Sequence, residues 1–185
     1  FPADKIINRL KETLQDSQDM SDYIDYLLNK PGKMLRSRLV HLSANLYPSQ
    51  ESLVIDVAVA IELIHLASLV HDDIIDNSNL RRGQESINSK WNNKVAVLLG
   101  DYLFAAAFNI INRQGLPAVM ETVTETIKIM CIGEIQQLYL TNRLDITRTA
   151  YLEKIYRKTA CLFASSCQVG GLISSMPQRQ IGIIQ

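Results

Sequence analysis

An all-α fold is what this chain of 185 residues predicts. Apolar residues recur at intervals of three and four almost throughout, which traces one face of a helix. Runs that alternate apolar and polar are short, so no segment predicts a strand. Two long apolar stretches, Leu53–Val70 and Val95–Ile111, carry charge inside them: Asp56 and Glu62 in one, Asp101 in the other. Neither therefore reads as a membrane span, and both read as helices buried inside a protein.

The elements follow in order. Ile6, Leu10 and Leu14, then Tyr23, Leu27 and Leu28, predict one or two amphipathic helices. Pro31-Gly32 breaks that pattern, and a helix resumes through Leu35, Leu39 and Leu42 until Pro48-Ser49 closes it. Ser49 or Ser52 is suited to cap the next helix, a long apolar one from Leu53 to Ile75. Asn77 to Gly83 is polar and reads as a loop. Helices are expected near Ser86–Trp91, Val95–Asn112, Ala118–Tyr139, Thr147–Ser166 and Val169–Ser174.

Composition narrows the function. The length suits a single domain, and 19 basic against 19 acidic residues leave a formal net charge of +0. That balance offers no broad basic surface for nucleic acid or an anionic membrane, so an anionic ligand must be held by a local cluster. Cys131, Cys161 and Cys167 lie in apolar stretches without a C-x-x-C pair. They predict buried, reduced thiols in a cytoplasmic protein, not a disulfide or zinc framework. No signal-peptide pattern opens the chain, and the start at Phe1 reads as trimmed.

Chemistry concentrates at the end of the long apolar helix, in His71-Asp72-Asp73-Ile74-Ile75-Asp76. Positions four apart share a helix face, so Asp72 and Asp76 project together with Asp73 beside them. Clustered carboxylates repel, and burying them is costly unless a cation compensates. Magnesium suits the pattern, because it takes one or two carboxylates and completes its shell with water and phosphate oxygens. Taken alone, the motif reads equally well as an acidic helix end facing solvent. Its flanks favour phosphate. Arg81 and Arg82 follow in a short loop, and Lys33 and Arg36 sit three apart where a helix begins. One acidic cluster and two basic pairs predict two anions, one held through metal and one without. His65 lies seven residues before Asp72 on the same face and is placed to donate to a phosphate. Lys158-Thr159 interrupts an apolar helix, as does Gly133-Glu134 with Gln137, where Gly133 permits close helix contact.

Together these residues resemble the trans-prenyl diphosphate synthases, or polyprenyl synthetases. The pieces stand in the family's order: Gly32-Lys33-Met34-Leu35-Arg36, Glu62-Leu63-Ile64-His65, the Asp72–Asp76 run and Leu80-Arg81-Arg82-Gly83. Gly100-Asp101-Tyr102-Leu103, Gly133-Glu134-Ile135-Gln136-Gln137 and Lys158-Thr159-Ala160 complete them. More narrowly, the chain is similar to the catalytic component of bacterial hexaprenyl and heptaprenyl diphosphate synthases, which work with a small partner subunit. The resemblance implies long, mostly antiparallel helices around a deep central cavity. It implies that residues 1–185 form a single prenyl synthase domain, the N-terminal portion carrying the first aspartate-rich motif.

By that resemblance the substrates are isopentenyl diphosphate and an allylic diphosphate such as farnesyl diphosphate. The product would be a long-chain all-trans polyprenyl diphosphate for a quinone such as menaquinone. Asp72 and Asp76 would bind magnesium, with Asp73 in support; Arg81, Lys158 and Thr159 would hold the allylic diphosphate as it leaves. Gly32, Lys33, Arg36, His65 and Arg82 would hold isopentenyl diphosphate without metal, and Gln137 would line the reaction centre. Ala67 and Ser68, small residues five and four before Asp72, would leave the product tunnel open and so permit a long chain. A homodimer or a heterodimer with a small regulatory subunit is implied, with Val95–Ile111 the candidate interface. Membrane association for product release stays open.

Two departures stand out. Pro31 and Ser37 replace a glycine and a proline of the family pattern, and no second aspartate-rich motif is present before Gln185, so the chain reads as incomplete at that end. Two rivals remain: a non-catalytic scaffold subunit of a heteromeric synthase, and a metal phosphohydrolase of the histidine–aspartate type using His41, His65 and His71-Asp72.

Overall fold

The computed structural model describes residues 1–15, 18–29, 32–140 and 147–184. Pro31 and Gln185 lie outside them. The described chain is almost wholly helical. Helices α1 (Ala3–Leu14), α2 (Ser21–Leu28) and α3 (Leu35–Ala44) lead into the 25-residue α4 (Glu51–Ile75). A two-stranded hairpin follows, β1 (Leu80–Arg81) with β2 (Gln84–Glu85), then α5 (Ile87–Lys90), α6 (Asn93–Arg113) and α7 (Pro117–Leu140). Helix α8 (Arg148–Ile155) passes through a π turn (Tyr156–Ala160) into α9 (Cys161–Leu172), and α10 (Gln178–Ile181) ends the fold.

Helix α4 is the axis of the molecule. It packs against α1, α3, α6 and α9, so apolar residues on all its sides are covered. Val57, Ala58, Val59, Ala60, Ile61, Leu63 and Ile64 are fully buried. A helix apolar all round belongs in a core. Both α4 and α6 are long and apolar enough to cross a membrane, but 72% of the apolar window of α4 is buried inside the fold. The charge within α4 is paired: the Asp56 carboxylate accepts from Arg9 Nε at 2.7 Å and from Gln114 Nε2 at 2.5 Å. These bonds tie α1 and the end of α6 to the axis. Helix α1 presents Ile6, Leu10 and Leu14 to the core, as its four-residue spacing predicts.

The structure corrects several expectations. The segment expected to be a loop, Asn77 to Gly83, contains β1 and the turn of a hairpin whose second strand follows at Gln84, too short for any periodic signal to betray. Neither Ser49 nor Ser52 caps α4; Gln50 occupies the cap without a side-chain bond. The helices expected at Thr147–Ser166 and Val169–Ser174 form one run to Leu172, because no helix breaker separates them and the irregularity falls at the π turn instead. Thr147 caps that run, accepting from the Ala150 N–H. Of the cysteines, only Cys161 is buried; Cys131 is exposed and Cys167 intermediate.

Candidate active site

Helix α4 ends in a Schellman motif. The Ser78 N–H donates to Asp73 O and the Asn77 N–H to Ile74 O, with Asn77 left-handed at φ 50°. Asp76 is thus the C-cap of the helix, one turn beyond Asp72 on the same face. The chain then turns back at Arg82-Gly83, both at positive φ (52° and 74°), the two-residue hairpin turn whose twist suits paired strands. Glycine takes that conformation freely, and arginine does so under strain. The turn brings Arg82 back against the start of α3: a Cβ at Gly32 would collide with the Arg82 guanidinium. A side chain at position 32 would force the Arg82 guanidinium to move.

All five residues expected to hold a metal-free diphosphate, Gly32, Lys33, Arg36, His65 and Arg82, line one cavity of about 550 Å³. Arg36 lies 4.4 Å from the centre of the Phe163 ring and donates from Nη1 to His65 Nε2 at 2.9 Å. With Nε2 accepting, the neutral imidazole carries its proton on Nδ1. The Arg36 Nε is buried without a hydrogen-bond partner among the described residues. Glu62, the one carboxylate in the lining, accepts from Ser37 Oγ at 2.6 Å. Burial pushes the Glu62 pKa up, against the pull of Ser37, Arg36 and Arg82. Ser37 thus has a definite task where the family pattern has proline.

Burial, then Arg36, Arg82 and Arg81, push the His65 pKa down from 6.5 to about 3. Below 6.5 the unfolded chain takes up a proton that the folded chain refuses, so this group destabilises the fold as pH falls from 6.5 toward about 3. The loss is up to about 1.4 kcal/mol per pH unit. His65→Gln is expected to flatten that part of a stability–pH profile measured by urea unfolding; unchanged slopes would count against a neutral His65.

A second cavity, of about 290 Å³, is lined by Ser68, His71 and Asp72 of α4, Phe104 of α6, Glu134 of α7 and Lys158 of the π turn, with apolar residues of α7 between them. Burial first, then Glu134 and Asp76, push the Asp72 pKa up to about 6 against the pull of Lys158 and Arg81. Burial is the larger part of that rise, and the charges of Glu134 and Asp76 add to it. Lys158 is anchored to Glu134 with Nζ 2.9 Å from Oε1. His71 reaches across to Val97 O at 3.2 Å, through space that a side chain at Gly100 would fill.

Placement of the remaining expected residues is mixed. Asp73 is buried and takes both bonds of an Arg81 fork, 2.6 Å from Nε and 2.8 Å from Nη2, so it braces Arg81. Asp76 is exposed and does not line the cavity, though its charge acts on Asp72. Gln137 is half-buried and Thr159 exposed, and neither lines the cavity. Ser68 does line it, whereas Ala67 is fully buried in the core. Glu134, Glu62 and Phe104 went without a role in the sequence reading; the polar break Gly133-Glu134 in an apolar helix was the one signal for the first of them. Gly133 does permit close contact, since a Cβ there would meet Arg157 Cβ at 2.7 Å. Among the described residues no three histidine, cysteine or acidic side chains form a metal cluster. His41, His65 and His71 bond separately to Asn45, Arg36 and Val97, which leaves the phosphohydrolase reading unsupported.

An all-α fold with a cationic pocket and a carboxylate-edged apolar cavity on one central helix defines a class, and comparison with known proteins agrees with it. The polyprenyl synthetase family model matches residues 17–184, and the chain belongs to that family. It is 43% identical over 153 residues to heptaprenyl diphosphate synthase component 2 of Geobacillus stearothermophilus, covering 83% of this chain and 48% of that protein. It is 32% identical over 175 residues to octaprenyl diphosphate synthase of Escherichia coli K12, covering 94% of this chain and 54% of that protein. Among solved structures, heptaprenyl diphosphate synthase from Staphylococcus aureus superimposes with a TM-score of 0.92 at 32% identity, over 98% of this chain and 58% of that one. A polyprenyl synthase from Caulobacter crescentus CB15, complexed with calcium and isoprenyl diphosphate, gives 0.92 at 29% identity over 99% and 57%. The all-α isoprenoid synthase architecture is thereby established, and the chain spans about half the length of the curated relatives it matches.

Proposed function

We propose that this protein is a magnesium-dependent trans-polyprenyl diphosphate synthase that condenses isopentenyl diphosphate with an allylic diphosphate, such as farnesyl diphosphate, into a long-chain product. The observation that supports the reading is the pair of unlike cavities beside α4, one lined by Lys33, Arg36 and Arg82, the other by Asp72 and Lys158 with Asp76 one helical turn beyond Asp72. Asp72 and Asp76 would offer carboxylate oxygens, hard donors of the kind magnesium takes one or two of before filling its shell with water and phosphate oxygens. The metal, when bound, supplies charge neutralisation on the leaving diphosphate. Lys158 and Arg81 offer further positive charge to that group as it departs. The allylic cation would form over the apolar lining between α4, α6 and α7 and meet the double bond of isopentenyl diphosphate, held from the other side by Lys33, Arg36, Arg82 and the Nδ1–H of His65. The departing diphosphate is the nearest base for the proton that is lost.

A partner subunit is part of the reading, supported by relatives called component 2 and by the exposed apolar side chains Val97 and Leu98 of α6. The test is elongation of farnesyl diphosphate with isopentenyl diphosphate and magnesium, with and without a small partner subunit, followed by product chromatography. Longer chains are expected. Phosphate release without elongation, or silence in every combination, would overturn the proposal and leave a hydrolase or a scaffold.

Product length follows from the cavity wall. Ser68→Phe should place a ring beside Phe104 in the cavity and shift product toward shorter chains; an unchanged length distribution would sink this view of the tunnel. Ala67→Tyr should act differently. With no exposed surface to grow into, it is expected to overpack the core by about 1–3 kcal/mol and lower the melting temperature.

A further inference from the structure

Glu134 faces the same cavity as Asp72 and Lys158, and its carboxylate straddles the ammonium, with Nζ 2.9 Å from Oε1 and 3.2 Å from Oε2. The pair is shielded, Glu134 being 15% and Lys158 31% exposed, so solvent screens it less than a surface ion pair. The backbone brings it together: Gly133 of α7 touches Arg157 of the π turn, where a Cβ would come within 2.7 Å of Arg157 Cβ and 3.3 Å of its carbonyl carbon. Lysine is a strongly hydrated point charge on a flexible four-carbon stem, and it seeks the nearest carboxylate. Asp72 lines the same cavity as Lys158, and the charges of Asp72 and Asp76 also favour the Lys158 ammonium. Without Glu134, the free ammonium would settle against Asp72, where it would take the place of a divalent cation.

We propose that Glu134 is a positioning residue that holds Lys158 off Asp72 and so keeps the Asp72–Asp76 pair open for the metal that accompanies the allylic diphosphate. The inference rests on the prenyl-transfer reading above. It gives Glu134 a task beyond clamping α7 to the π turn, and it predicts a dependence that a clamp would not show. Losing the Glu134 carboxylate should weaken metal binding only while Lys158 is present to compete.

The experiment is calorimetric titration with Mn2+ alone, beside the magnesium dependence of elongation, for wild type, E134A, E134Q and the double variant E134A/K158M. E134A should bind Mn2+ roughly fivefold to tenfold more weakly, the effect of one shielded ion pair. E134Q, which still offers an oxygen to Lys158, should stay nearer wild type. E134A/K158M should recover wild-type binding or better, although it loses the ammonium that elongation needs. The KM for isopentenyl diphosphate should not move in E134A. Metal binding unchanged or tightened in E134A, or no recovery in the double variant, overturns the proposal alone when wild type binds Mn2+ and elongates. A wild type that does neither overturns the prenyl-transfer reading, and this proposal with it.

Discussion

Asp72→Asn should abolish most prenyl transfer and at the same time make the protein harder to melt. The two effects share one cause. Burial and the neighbouring Glu134 and Asp76 push the Asp72 pKa from 3.8 up to about 6, so the ionised form is disfavoured in the folded chain. A group whose folded pKa is raised stabilises the fold below its unfolded pKa, and that contribution fades as pH rises through the folded value. At neutral pH the charge is a burden that only a bound cation relieves. Removing it should raise metal-free stability by about 1–2 kcal/mol, with partial exposure discounted. In a protein of this size that is a few degrees in melting temperature. Activity should fall roughly 10³-fold, since the carboxylate that directs the metal to the leaving diphosphate is gone. Such an exchange of stability for function is characteristic of active sites. Elongation at near wild-type rate, or a lower melting temperature, would remove Asp72 from the role given to it.

Arg81→Ala should be the most damaging change to the fold among the site residues. Asp73 has a side chain 5% exposed, and its two oxygens are matched to the Arg81 fork at 2.6 and 2.8 Å. Deleting the arginine strands a buried carboxylate, which costs about 3–5 kcal/mol when burial is complete and somewhat less for a guanidinium a third exposed. A fall in melting temperature of roughly 10 °C is expected. The double change Asp73→Leu with Arg81→Met should restore most of that stability, because replacing both partners leaves no unpaired charge. It should not restore transfer, because Arg81 acts electrostatically on both Asp72 and His65. If calorimetry finds Arg81→Ala as stable as wild type, the Asp73–Arg81 fork is not a brace.

How much of this was legible in the sequence differs by scale. Helices showed wherever periodicity extended over two turns or more, as in α1, α4, α6 and α7. The hairpin did not, because two strands of two residues have no period to detect, and its turn rests on an arginine at positive φ that no composition rule favours. The cationic pocket was legible through the family resemblance: Gly32, Lys33, Arg36, His65 and Arg82 meet although up to 50 positions separate them, whereas residue chemistry alone offered two basic pairs and set His65 beside the acidic cluster. The metal-side cavity was only half legible. Lys158 and Asp72 were expected there, but Glu134 looked like a polar interruption in α7 until the π turn brought its partner alongside. Ala67 and Ser68 illustrate the same limit. They are neighbours in sequence, yet on a helix they point about 100° apart, and one meets the cavity while the other meets the core.

The position of His65 and Asp72 on one uninterrupted helix has a consequence for how this chain can change. Both anion sites are fastened to a single rigid rod, and the seven-residue step from His65 to Asp72 acts as a ruler of about 10 Å. Point substitutions along that rod alter what is held. One residue inserted or deleted between 65 and 72 would turn the metal site about 100° away from the cationic pocket while leaving every motif intact. Loops that carry none of the pocket's side chains can drift in length with less effect on the reaction geometry. This segment can vary in its letters but not in its count.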